Sequence, residues 1–134
     1  MKILNDTYSG EGMKRVYENE KWTVGIKNWK PANDLSGIDM LERHHKTDEL
    51  FILLAGQCTL ISATPTGNGL AFNSVNMQPF EVYNIPKGLW HNTITQKDTR
   101  LALIEDSNTG MANSDFCQLT EAEIAAIQQL VKGV

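Results

Sequence analysis

Two places in this sequence carry side chains that can hold a metal ion. The first is the run His44-His45-Lys46-Thr47-Asp48-Glu49, which ends where the apolar stretch Leu50-Phe51-Ile52-Leu53-Leu54 begins. The second is His91, downstream of the turn Pro86-Lys87-Gly88. Neutral imidazole nitrogen and carboxylate oxygen are donors that divalent transition ions accept, and several of them converging from rigid strands leave a coordination position open for substrate. Adjacent strand residues face opposite sides, so at most one of His44 and His45 is expected to point inward. The candidate set is Glu49, His91 and either His44 or His45.

Such a set works only if the elements that carry it are held opposite one another. Leu50 to Leu54 has the continuous apolar character of a buried strand, and Ala55-Gly56 followed by Gln57 to Ala63 reads as the return arm of a hairpin. Trp22, Val24 and Ile26 alternate with Lys21, Thr23 and Lys27, which predicts a strand whose buried face is the tryptophan, valine and isoleucine. Further strands are expected at Ile38 to Arg43, Leu70 to Met77, Phe80 to Ile85, Trp90 to Thr95 and Thr99 to Glu105, separated by Gly, Pro, Asn and Asp clusters. Residues 1 to 12 read as an arm or edge segment, and Ser107 to Phe116 as a surface excursion. The period then changes: Thr120 and Glu123 form a capping box, and Ile124, Ile127 and Val131 recur at helical spacing, predicting a helix over about 120–132. Short strands closed by one helix argue for an all-β sandwich or barrel, with a jelly roll favoured because closure removes exposed edges.

At 134 residues the chain is expected to be a single domain, 1–134, with a core barrel over about 20–106. The net charge of −4 gives no basic footprint for nucleic acid. Cys58 and Cys117 are too few for a disulfide framework and read as reduced thiols. No apolar run approaches the ~18 residues of a membrane span, and no secretory signal opens the chain, so a cytoplasmic location is expected.

The spacing of the site residues resembles the two motifs of the cupins. In the first motif two histidines alternate with one residue, a glutamate follows after three or four more, and a glycine after a further six. Here six residues separate Glu49 from Gly56, and Pro86-Lys87-Gly88-Leu89-Trp90-His91 is similar to the second motif. The resemblance spans about Met40 to Glu105 and implies a double-stranded β-helix, a small jelly-roll barrel with its site inside. Glu49 and His91 match the motif ligands directly. Counting four residues back from Glu49 makes His44 the second motif histidine and puts Glu42 in place of the first; counting three selects His45 and puts Arg43 there. The first count is preferred, because it faces Glu42 and His44 inward together and keeps a guanidinium away from the ion. The implied shell is Glu42, His44, Glu49 and His91. Two positions depart from the motifs: Phe80 stands where the second usually has glycine, and Thr95 where it ends in asparagine.

The resemblance also implies a divalent ion (Zn, Mn, Ni or Fe), a small polar metabolite as ligand or substrate, and a homodimer. Tyr83 and Trp90, as aromatic lining, and Arg43 and His45, beside the ligands, are the substrate-binding candidates. The rival expectation is a non-catalytic binding or sensor protein of the same fold. In it the same side chains satisfy one another around water and no metal is held.

Overall fold

The computed structural model of the chain describes residues 1–132 and contains ten strands and one α-helix. In chain order these are β1 (Met13–Glu18), β2 (Trp22–Asn28), β3 (Met40–His44), β4 (Glu49–Ala55), β5 (Cys58–Thr66), β6 (Gly69–Asn76), β7 (Val82–Ile85), β8 (Trp90–Thr95), β9 (Arg100–Asp106), β10 (Ser114–Gln118) and α1 (Glu121–Lys132), with a 3-10 turn at Pro31–Asn33. They form two five-stranded antiparallel sheets, ordered β1-β2-β9-β4-β7 and β10-β3-β8-β5-β6. From β3 onward the chain passes repeatedly from one sheet to the other, the weave of a jelly-roll barrel.

The two sheets enclose one core, and the second sheet with α1 encloses another. Phe51, Leu53, Cys58, Leu60, Leu101 and Leu103 pack inside the barrel. Ile61, Ala63 and Ile94 point out of the other face of the same second sheet and meet Ile127, which is fully buried. That double burial explains why β5 carries apolar residues on both faces, Cys58 and Leu60 toward the barrel and Ile61 and Ala63 toward the helix. The helix starts as expected: Glu123 N–H donates to Thr120 Oγ1 at 3.2 Å and Thr120 N–H to Glu123 Oε1 at 2.9 Å. Such a cap contributes about 1 kcal/mol.

Four sequence expectations need correction. Residues 50–54 and 57–63 are not a hairpin, because β4 pairs with β7 and β9 while β5 pairs with β6 and β8 in the other sheet. Gly56 carries the chain across: its φ is +71°, and a Cβ there would lie 2.8 Å from the Asp98 carbonyl oxygen. The inward face of β2 is Thr23, Gly25 and Lys27, since these sit opposite Glu105, Leu103 and Leu101 of β9. Trp22 is on the other side and 45% exposed. Strand β1 lies in a stretch that the sequence leaves without an element. Strand β10 begins inside the segment read as a surface excursion; it is polar because it is an edge strand, paired only with β3.

Candidate metal centre

Each member of the site arrives by a different route. Glu49 opens β4, His91 is the second residue of β8, and Glu42 and His44 alternate along β3, where Glu42 sits opposite His91. The turn before β8 locks these segments together, since Gly88, at φ +84°, donates its N–H to the His44 carbonyl at 2.7 Å. One donor atom from each of Glu42, His44, Glu49 and His91 lies within 4.8 Å of the others. His91 Nε2 is 3.1 Å and His44 Nε2 3.4 Å from Glu49 Oε1; Glu42 Oε1 is 3.8 Å from His44 Nε2 and 4.0 Å from His91 Nε2. Donors each about 2.1 Å from one ion, at octahedral or tetrahedral angles, stand roughly 3.0 to 3.4 Å apart. The cluster is thus close to a preformed four-donor site, and small adjustments of Glu42, its most exposed member, would complete it.

The outer partners orient both rings. His91 Nδ1 lies 3.0 Å from the Leu89 carbonyl, which can only accept, so Nδ1 carries the hydrogen. His44 Nδ1 is 2.8 Å from Ser114 Oγ of β10. Both Nε2 atoms therefore face the carboxylates, the arrangement by which outer hydrogen bonds fix a metal-binding imidazole.

Burial would push Glu49 upward, but hydrogen bonds from His44 and His91 and the charge of His91 hold its carboxyl well below the usual range. Burial would likewise lower His44, yet its hydrogen bond with Glu49 and the charges of Glu49 and Glu42 leave it raised. Behind Glu49 stands Glu105, pushed up to about 7 by burial and by the Glu49 charge. Its carboxyl donates a hydrogen bond to Glu49 and accepts one at 3.3 Å from Arg15 Nη2, whose guanidinium is also held by the Thr109 carbonyl at 2.6 Å. The sequence reading missed Glu105, Arg15 and Ser114. Glu105 had a signal, because Leu101, Leu103 and Glu105 alternate along one strand. The other two come from edge strands without a hydrophobic pattern.

By sequence the chain matches no family profile and no curated protein. By structure it is similar to Pac13, a nucleoside dehydratase, at 9% identity and a TM-score of 0.58, covering 87% of this chain and 88% of that one; a Streptomyces Pac13 variant with uridine gives the same score. The Lactobacillus farciminis oxalate decarboxylase, in its formate complex, aligns at 14% identity and a TM-score of 0.52 over 80% of this chain and 32% of that one, so the chain spans about a third of that protein. A cupin-2 domain protein from Shewanella frigidimarina aligns at 19% identity, over 77% and 84% of the two chains, with a TM-score of 0.47. The chain has the cupin fold. Within the cupin barrel, Phe80, at the position where the second motif carries glycine, keeps a φ of +71°. The turn geometry survives the loss of glycine, at a cost of about 1–2 kcal/mol.

The cupin barrel places the four substrate-binding candidates outside this cluster. His45 is half exposed, with Nε2 3.0 Å from Asp115 Oδ2. Arg43 pairs with the same carboxylate at 2.7 Å and lies 4.4 Å over the ring of Trp90, which packs toward the helix-side core. These three residues tie β10 to the second sheet. Tyr83 sits opposite Phe51 on β7, its ring against the barrel core and its hydroxyl donating to Glu81 Oε2 at 2.6 Å.

Proposed function

We propose that this chain binds a divalent transition metal through Glu42, His44, Glu49 and His91 and uses the open side of that centre to bind or convert a small polar metabolite. One observation carries the reading. His91 Nδ1 donates to the Leu89 carbonyl, which turns Nε2 onto Glu49 Oε1 3.1 Å away, a contact that needs positive charge between the two atoms, either a second proton on the ring or a metal ion. A proton on Nε2 would serve one such contact. Four converging donors, two of them carboxylates, favour an ion carrying two positive charges.

When bound, the ion supplies Lewis acidity that polarises a ligand carbonyl or hydroxyl. Glu105, pushed up to about 7, is the group suited to holding and returning a proton beside Glu49 at neutral pH. The reaction type is not chosen by the fold, which hosts both a nucleoside dehydratase and an oxalate decarboxylase among the similar structures. Titration of chelator-treated protein with Co(II), Zn(II), Mn(II), Ni(II) and Fe(II), read by bound metal and by the Co(II) absorption spectrum, tests the reading. One equivalent bound to nitrogen and oxygen donors is expected. Protein that takes up none of the five supports instead the metal-free binding module, its cluster held by a proton on His91.

We also propose a homodimer, built on the outer face of the first sheet. The second sheet is covered by α1, whereas the first shows Val24, Ile104 and Leu50 in one registered row and Ile26, Ala102 and Ile52 in the next. Five strands about 4.8 Å apart and about 23 Å long give roughly 500 Å² per copy, and two copies reach the ~1,000 Å² that a specific interface needs. Lys21, Lys46, Lys87, Asp48 and Asp106 border a groove on this face, a mixed rim suited to pairing with a second copy of itself. Light scattering should give twice the 15.0 kDa chain mass, and Ile52→Asp should return it to a single chain. A wild-type chain that remains a monomer at high concentration rules this out.

A further inference from the structure

Register with Leu101, a fully buried core residue, places Lys27 on the inward face of β2. Its side chain lines a cavity of about 80 Å³ together with Asn33, Asn92, Lys30 and the candidate ligand Glu42. The amine feels the charges of Glu42 and Glu49, yet no hydrogen bond or ion pair holds it among the described residues. Asn33 Oδ1, in the wall of the same cavity, is buried without a partner among the described residues, and so is the hydroxyl of Thr93, the inward neighbour of His91 along β8. Polar atoms left unpaired in a protein interior are costly and are usually matched by water or a ligand.

We infer that Lys27 is the second anchor of the barrel site and takes the carboxylate of a small organic acid whose other polar end lies at the Glu42, His44, Glu49 and His91 cluster. The assignment rests on the reading of that cluster as a metal centre and names the class of its ligand. Charge balance leads to it. A divalent ion would be neutralised by Glu42 and Glu49, and Arg15 is held by Glu105 and by the Ser107 and Thr109 carbonyls, so among the described residues Lys27 is the cation on the inward face of the barrel with no hydrogen-bond or ion-pair partner. Burial and the nearby Lys30 push its amine down, as expected where a charge is uncompensated. Size selects the anion: water occupies about 30 Å³ in the liquid, so the cavity holds roughly three atoms of that size, the bulk of one carboxylate. Exposed Lys30, Asp39 and Met40 at its rim leave it open to solvent.

Malonate and its uncharged analogue malonamide, titrated calorimetrically into the Zn-loaded full chain, test the assignment. Wild type should bind malonate and discriminate against malonamide by more than about tenfold, the range expected for a charge-assisted hydrogen bond. Lys27→Met, which keeps the length of the stem, should lose that preference with its Zn affinity unchanged, and Lys27→Arg should recover part of it. If the methionine variant does not fold, Lys27→Gln replaces it in the same comparison. Intact Zn affinity with malonate bound equally by wild type and the uncharged variant overturns the assignment and leaves the metal centre standing. Failure of the wild-type chain to take up Zn, measured before any acid is added, overturns both.

Discussion

His91→Ala is expected to lower the affinity for Zn(II) or Co(II) by more than about 100-fold, because even the outer partners of a metal ligand are worth about 10- to 100-fold. The substitution removes one of two imidazole donors, the one closest to Glu49 and fixed on its other side by the Leu89 carbonyl. His45→Ala is the control. It removes an imidazole one residue from a ligand, but one that is half exposed and bonded to Asp115, so metal affinity should be unchanged. In metal-free protein, His91→Ala also leaves the Glu49 carboxylate, 4% exposed, without its nearest partner, and losing one side of a buried pair costs about 3–5 kcal/mol. Metal titration followed by urea unfolding of both variants reads the two effects separately. Equal metal affinities for His91→Ala and wild type would remove His91 from the centre.

In the metal-free protein, stability should fall as pH rises from about 5 to about 8, the reverse of the usual behaviour of a carboxylate paired with a cation. Glu105 has an ordinary value of 4.5 and is pushed up to about 7 in the folded chain. Between those values the folded state keeps a proton that the unfolded chain has lost. Its contribution is therefore complete below 4.5 and disappears as pH rises through 7, by at most about 3 kcal/mol. His44, raised above its ordinary 6.5, acts in the same direction: its contribution is present below that value and lost above the folded one. Glu49 is depressed, so its stabilisation is already in place in this window and is lost only in strong acid. Glu105→Gln supplies an amide N–H to Glu49 and an oxygen to Arg15 but cannot titrate. It should remove most of the slope and be the more stable chain at pH 8. Urea midpoints in the presence of chelator at four pH values check this, and parallel profiles for the two proteins would rule out Glu105 as the titrating group.

The extents of most elements and half of the site were legible in the sequence, for local reasons. Alternation and turn residues mark β8 and the helix from neighbours a few positions away. The spacing of Glu49 from Gly56 and of Pro86 from His91 depends on single turns and strands, so it survives in the linear order. Choosing His44 over His45 needed the parity of β3 relative to Glu49, and this too could be argued from the count of residues.

What the amino-acid order did not determine was the sign of that parity elsewhere. Alternation shows that Trp22, Val24 and Ile26 share a face, but not that the face is outside; pairing of β2 with β9 made Thr23, Gly25 and Lys27 the interior. Sheet membership separated β4 from β5 even though only a tight turn joins them. Arg15 and Ser114 reached the site from edge strands, with about 90 residues between Arg15 and Glu105 and 70 between His44 and Ser114. Backbone propensity acts over a few residues, whereas a barrel is closed by hydrogen bonds between strands far apart in the chain. The sequence by itself therefore determined which side chains were available for a metal centre and most of the strands that carry them, and only closure of the two sheets decided which of those side chains, with Glu105 and Lys27, share one interior.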